Sequence, residues 1–71
     1  MKRDLSGLPY PVWLHFEQRQ ARGNWEPWRY RCKNEAELRD RIVGVGRRSD
    51  MRATSIKADG VVCAIDTFDV S

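Results

Sequence analysis

The side chains best suited to acid–base chemistry are His15, the only histidine of the chain, and Glu17, a carboxylate two positions later. If this segment is a β-strand, both side chains point to the same face, where an imidazole and a carboxylate can exchange a proton. The same arrangement is typical of a surface histidine beside an acid. The sequence contains no glycine-rich phosphate loop and no residues with metal-ligand spacing. We therefore predict that the protein is not an enzyme and has neither a cofactor nor a metal site.

The two cysteines, Cys32 and Cys63, are 31 residues apart, and neither has the nearby cysteine or histidine of a zinc motif. Each falls in a segment with strand character. We predict two reduced thiols that serve as small core residues, and a disulfide between them is the alternative.

Alternation of apolar and polar residues predicts a β-hairpin between residues 12 and 32. The even positions are apolar in the segment 12–17, and they carry Trp, Tyr and Cys in the second half of the segment 25–32. The residues Arg22-Gly23-Asn24 suit a three-residue loop, because Gly and Asn tolerate positive φ. That loop pairs Ala21 with Trp25. The predicted core face then consists of Val12, Leu14, Phe16, Trp28, Tyr30 and Cys32.

The opposite face of this hairpin carries tryptophan and arginine, the residue types most enriched at binding hot spots. A second layer of the same protein lying over this face is the alternative explanation for the tryptophans. A chain of this size buries only about 60% of its unfolded surface, so part of the face should stay available to a partner. The predicted partner-binding residues are Trp13, His15, Arg22, Trp25, Arg29 and Arg31.

A helix is predicted after the hairpin. Asn34 can cap its N-terminus and Glu37 stands three residues later, a variant of the capping box. Gly44 and Gly46 weaken the helix, which predicts an end near residues 43–45. The predicted buried stripe is Leu38, Ile42 and Val45, and the solvent face carries two i,i+4 pairs, Glu35 with Arg39 and Glu37 with Arg41.

A second hairpin is predicted from Met51 to Val70, with Asp59-Gly60 as a two-residue turn. The turn pairs Ile56 with Cys63. If the two strands continue to pair away from the turn, Thr54 pairs with Ile65 and Met51 with Phe68. Both faces carry apolar groups, which leaves open whether the last strand is central or a bulge near residues 66–67 returns Phe68 to the core. The element order ββαββ predicts an α+β fold, an antiparallel four-stranded sheet with one helix on one face. We expect a single small domain over residues 1–71, with residues 1–11 as an N-terminal arm.

Thirteen basic and ten acidic side chains give a formal net charge of +3. Ten of the thirteen are arginines, which suit bidentate contact with carboxylates or phosphates. Acids interrupt the basic residues, whereas dedicated nucleic-acid-binding domains show a denser basic stripe. The alternative explanation for these basic residues is that they are ordinary solvated surface charges. The interrupting acids are Glu17, Glu26, Glu35, Glu37 and Asp40, and the candidate basic patch is Arg47, Arg48 and Arg52.

One sequence pattern bears on the biological context. The strand Trp25-Glu26-Pro27-Trp28-Arg29-Tyr30, followed by the capped helix start Asn34-Glu35-Ala36-Glu37-Leu38, resembles small ββαββ accessory proteins of phages and mobile elements. The resemblance covers roughly residues 12 to 58. It implies a stand-alone protein, of the anti-CRISPR inhibitor type, that binds a host complex. The basic charge balance departs from the acidic, DNA-mimicking inhibitors.

Two functions of different class follow from these features. The leading hypothesis is a non-enzymatic inhibitor or adaptor that binds a host protein or protein complex through the Trp/Arg face. The alternative is a small basic module that binds nucleic acid by stacking bases on the same aromatics.

No apolar run approaches the roughly 18 residues of a membrane span, and the N-terminus lacks the apolar stretch of a signal peptide. We expect a cytoplasmic monomer or homodimer without membrane contact.

Overall fold

The computed structural model describes residues 1–70 and places one helix on one face of a four-stranded antiparallel sheet, which confirms the predicted α+β class. The strand order is β3-β2-β4-β5, and β1 pairs with β6 in parallel as a separate two-stranded sheet. The elements are β1 (Arg3–Asp4), β2 (Val12–Arg19), β3 (Trp25–Cys32), α1 (Glu35–Gly46), β4 (Met51–Ala58), β5 (Val61–Ala64) and β6 (Phe68–Asp69), with 3-10 turns at Leu5–Gly7 and Ile65–Thr67.

The β2–β3 hairpin turns through Ala21–Gly23, one residue earlier than predicted. Gly23 adopts the positive φ (89°) that such a loop requires, and the Gln20 N–H donates to the Asn24 carbonyl at 2.7 Å. The strands therefore pair Arg19 with Trp25. The predicted pairing of Ala21 with Trp25 is wrong by two residues. Because side chains alternate with a period of two, an even shift leaves each of them on its predicted face.

Strand β3 lies at the edge of the sheet, which corrects two core predictions. Trp28 is 50% exposed and Tyr30 is 40% exposed, although both lie on the same side of the sheet as the helix. The helix packs mainly against β4 and extends only partly over β2 and β3. Of the β3 side chains predicted to be in the core, only Cys32 is buried.

The β4–β5 hairpin has the predicted turn. Asp59 (φ 51°) and Gly60 (φ 79°) both have positive φ, as a type I′ turn requires, and Ile56 pairs with Cys63. Strand β5 ends at Ala64, so the predicted pairs of Thr54 with Ile65 and Met51 with Phe68 do not form. The 3-10 turn after β5 redirects the chain and places Phe68 in the core, where it is 1% exposed. The sequence leaves open a central last strand or a bulge near residues 66–67; Phe68 does return to the core, but through a 3-10 turn instead of a bulge.

A bulge does occur elsewhere, where β2 pairs with β4. His15 pairs with Ser55 while Phe16 pairs with Ala53, so Thr54 is an extra residue on β4. The Thr54 hydroxyl donates to the His15 carbonyl at 3.1 Å. Because the insertion shifts the alternation of β4 by one residue, the side chains before Thr54 lie on the face opposite to the one a regular strand would give them.

The buried core forms between the helix and one side of the sheet, and the N-terminal arm contributes to it. Leu5 and Leu8 are buried, and the Tyr10 hydroxyl donates to the Leu5 carbonyl at 2.7 Å. The arm is thus packed as predicted, with one short strand and one 3-10 turn. The core residues are Leu5, Leu8, Val12, Leu14, Phe16, Cys32, Leu38, Ile42, Val45, Ile56 and Phe68.

The helix begins as predicted and ends later. The Asn34 side chain accepts a hydrogen bond from the Glu37 N–H at 2.9 Å, and the helix continues through both glycines to Gly46. The predicted stripe of Leu38, Ile42 and Val45 is buried. The predicted pair of Glu35 with Arg39 forms at 2.8 Å. The other predicted pair does not form, because Arg41 contacts Tyr30 instead of Glu37.

Both cysteines are free, Cys32 in the core and Cys63 half-buried. They lie on the two edge strands, three strand spacings apart, which is about 14 Å. A disulfide requires Cα atoms about 4.4–6.8 Å apart, so this sheet cannot form one. Burial also raises the pKa of the Cys32 thiol, which keeps it protonated.

Reductant is therefore expected to leave the melting temperature unchanged in a thermal unfolding experiment. Cys32→Ser should lower the melting temperature more than Cys63→Ser, because only Cys32 is fully buried and a hydroxyl is more costly to bury than the thiol that donates to the Tyr30 carbonyl at 3.7 Å. Equal losses from the two variants, or a drop of several degrees on adding reductant, would contradict this assignment.

Candidate binding surface

The face of the sheet opposite α1 is open, and we call it the outer face. The cluster that holds the helix stripe, the N-terminal arm and Phe68 takes its sheet residues from the other side only. The outer face is formed by Trp25, Pro27, Arg29 and Arg31 of β3, Trp13, His15, Glu17 and Arg19 of β2, Arg52, Ser55 and Lys57 of β4, and Val62 and Ala64 of β5.

Two tryptophan–arginine stacks lie at opposite ends of this face. The Arg29 guanidinium lies 4.6 Å from the ring centroid of Trp13, and the Arg52 guanidinium lies 4.0 Å from that of Trp25. Both tryptophans are half-buried, and both arginines are exposed. Six residue steps along β2 separate the two ends, or about 20 Å. In each stack an exposed guanidinium lies over a half-buried indole ring.

The Thr54 bulge determines which residue meets Glu17. In a regular strand Arg52 would lie on the helix side, but the bulge places it on the outer face opposite Glu17. The Arg52 Nε donates to Glu17 Oε1 at 2.8 Å while its guanidinium lies over Trp25. Glu17, Arg52 and Trp25 thus form a connected group across three strands.

His15 lies between the two stacks without entering the acid–base pair that its spacing from Glu17 suggests. The Glu17 carboxylate is bound to Arg52, and the His15 side chain forms no hydrogen bond or ion pair within residues 1–70. His15 is half-buried and lines an open depression of about 500 Å³. Glu17, Arg29 and Lys57 contribute to the same depression.

The charge of the outer face is almost entirely positive. Glu17 is the one acid among its residues, and Arg52 already neutralises it. The other acids that interrupt the basic sequence lie elsewhere, Glu26 on the helix side of β3 and three more on or beside α1. Four outer-face cations make no ion pair with any residue from 1 to 70, namely Arg19, Arg29, Arg31 and Lys57.

The structure brings five of the six predicted partner-binding residues onto one surface. Trp13, His15, Trp25, Arg29 and Arg31 are all on the outer face. The sixth, Arg22, is exposed at the tip of the hairpin loop beyond the Trp25 end.

The predicted basic patch is divided. Arg52 belongs to the outer face, whereas Arg47 and Arg48 follow the helix and border a groove on the other side of the sheet. Arg48 donates two hydrogen bonds of 3.0 Å to Asp50, which hold the pKa of that carboxyl below its usual value. The three arginines therefore do not act as one cluster.

Sequence reasoning missed Arg19 and Lys57 as outer-face residues. Their faces follow from the period-two alternation of β2 and β4, but the pairing of β2 with β4 joins strands that are far apart in the chain. Pro27 was a readable signal that β3 is an edge strand, because proline is tolerated in sheets mainly at edges.

The described part of the chain, residues 1–70, has no group of three or more His, Cys, Asp or Glu side chains arranged to hold a metal ion. Over the same residues, no helix has the length and apolarity needed to cross a membrane. Comparison of the chain with protein-family models, with curated proteins and with solved structures gives no match.

Proposed function

We propose that this protein binds single-stranded nucleic acid through the outer face and acts by binding rather than by catalysis. The observation that carries the proposal is the separation of charge by the fold. Four of the five acids that interrupt the basic sequence lie off the outer face, and the fifth, Glu17, is paired with Arg52, which leaves four unpaired cations on a face with two Trp–Arg stacks. A surface of one sign attracts a polyanion, and counterion release then adds to the affinity.

The shape of the surface favours a single strand over a duplex. Bases that are not paired can stack on aromatic rings or on guanidinium planes, and both kinds of surface occur in each stack. An open antiparallel sheet exposes these planes side by side, whereas the bases of a duplex are already stacked on one another. The four unpaired cations are then placed to contact phosphates, namely Arg19, Arg29, Arg31 and Lys57.

The second candidate is the inhibitor or adaptor that binds a host protein. The specific observation in its favour is that the stacked Trp and Arg side chains are preordered, as residues of a protein–protein hot spot generally are. In this case the partner surface would be acidic, to match the cations of the outer face.

Fluorescence anisotropy with labelled oligothymidylate, oligouridylate and a mixed-sequence duplex tests the first candidate. We expect both single strands to bind more tightly than the duplex at about 0.15 M salt. The logarithm of the affinity should fall against the logarithm of salt concentration with a slope of about 0.7 per phosphate neutralised, or about 3 for four cations.

Trp25→Ala should weaken this binding by about tenfold or more, which is the range for the loss of one base-stacking contact. The slope of log affinity against log salt should stay unchanged, because the substitution removes no charge. Val62→Ala is the matched control, since Val62 is an exposed apolar residue of the same face on β5. If none of the three nucleic acids binds at this salt concentration, the proposal fails and the protein-binding candidate takes its place.

A further inference from the structure

A second surface lies on the helix side of the sheet, in the groove between α1 and β3. It has a volume of about 340 Å³, and its floor is formed by Leu14, Phe16 and Val45. The groove stays open because the helix leaves the β3 edge uncovered. Its walls include Tyr30, 40% exposed, and Val43, 45% exposed. The surface is therefore an open channel with an apolar floor rather than a closed core cavity.

Gly44 widens this channel. It lines the groove in the last turn of the helix, where a side chain of any other residue would project into the open space. A Cβ added at this position would meet no atom within 4 Å. The helix thus has empty space along the groove where most residues would place a side chain.

The rim of the groove is mainly basic. Arg41, Arg47 and Arg48 line it together with one acid, Asp40. Because Arg48 is paired with Asp50, the available positive charges are those of Arg41 and Arg47. The Arg41 guanidinium is held 3.8 Å from the ring centroid of Tyr30, and it donates a hydrogen bond to the Tyr30 hydroxyl. Arg47 makes no ion pair within the described residues 1–70. One fixed and one unpaired guanidinium therefore stand beside an apolar floor.

We propose that this groove docks an acidic amphipathic segment of a partner protein. Apolar side chains of the segment occupy the channel over Phe16 and beside Gly44, and flanking Asp or Glu carboxylates pair with Arg41 and Arg47. Helix-in-groove recognition combines an apolar floor with charges at the rim in the same way. A nucleic-acid duplex would leave the apolar floor unfilled, because its bases are already stacked on one another and its phosphates match only the rim.

This site is distinct from the outer face, and it does not depend on what the outer face binds. A protein with both surfaces occupied would connect a nucleic acid to a partner protein. The two faces can therefore be tested separately on the full chain.

The test uses two labelled model peptides with leucine at i, i+3, i+4 and i+7 spacing, one with glutamate and the other with lysine at the remaining positions. Fluorescence anisotropy should show that the glutamate peptide binds at least about tenfold more tightly than the lysine peptide, because only its charges match the rim. Amide NMR signals of Tyr30, Val43 and Gly44 should shift on titration, while those of Trp13 and Arg31 should not.

Gly44→Leu should weaken binding of the glutamate peptide by about tenfold or more by filling the channel, and Gly46→Leu should leave it unchanged. The two variants are matched, since both add a leucine to the same helix at a position with free space, but only Gly44 lines the groove. Val43→Glu is a second groove variant on an exposed helix position and should also weaken binding, by repulsion. Circular dichroism checks that all three variants retain the fold.

Equal binding of the two peptides, or unchanged binding by both Gly44→Leu and Val43→Glu, would overturn the proposal. So would a dimer of the wild type, measured by sedimentation, that Gly44→Leu dissociates, because the occupant would then be a second copy of this chain. Displacement of the glutamate peptide by oligothymidylate, with loss of oligothymidylate affinity in Gly44→Leu, would assign the groove to nucleic acid.

Discussion

The protein with both Arg29→Glu and Arg31→Glu is expected to bind oligothymidylate on the order of 100-fold more weakly than the wild type, since two phosphate contacts worth about tenfold each are lost. The slope of log affinity against log salt should decrease by about 1.4, which is two contacts at about 0.7 each. Folding should survive, because both arginines are exposed on an edge strand and make no ion pair. Anisotropy titrations at several salt concentrations measure both quantities.

The matched control is the protein with Arg47→Glu and Arg48→Glu. It also lowers the net charge of +3 by four units, but at residues that border the groove rather than the outer face. This control should lose affinity only through its altered overall charge, and much less than the outer-face variant. Equal losses from the two double variants would show that binding follows net charge alone and would remove the basis for a specific outer-face site.

The largest effect on stability is expected from Phe68→Ala. Removal of a fully buried phenylalanine costs about 3–5 kcal/mol of unfolding free energy, because apolar contacts are lost and a cavity remains. A chain of this length has a total stability of only about 4–10 kcal/mol. We therefore expect Phe68→Ala to be largely unfolded at 37 °C, as measured by thermal or urea unfolding.

Trp28→Ala is the matched control, an aromatic truncation at a residue that the sequence placed in the core and the structure exposes by 50%. It should cost about 1 kcal/mol or less, as surface substitutions generally do. If Trp28→Ala lowers the unfolding free energy as much as Phe68→Ala does, the helix side of β3 must be covered. The groove between α1 and β3 could then not be open.

The local features of this protein could be predicted from its sequence because they depend on neighbours in the chain. The Asn34 cap, the buried stripe of the helix and the Asp59-Gly60 turn each rest on contacts among residues a few positions apart. Alternation along β2 and β3 also placed Trp13 and Arg29 on one face correctly, and an error of two residues in the register could not change that. The element order then determined the α+β class.

The tertiary structure decided what covers each face and which charges meet. The pairing of β2 with β4 joins residues up to 44 positions apart, and the Thr54 bulge within it turns Arg52 toward Glu17 and Trp25. No local pattern contains that pairing, because its energy comes from packing and hydrogen bonds between distant segments. The strand order also made β3 an edge, which exposed Trp28 and opened the groove beside α1. The sequence by itself therefore determined the elements and the faces of the first hairpin, whereas the neutralisation of Glu17 by Arg52 and the addition of Lys57 to the outer face arose only when distant strands paired.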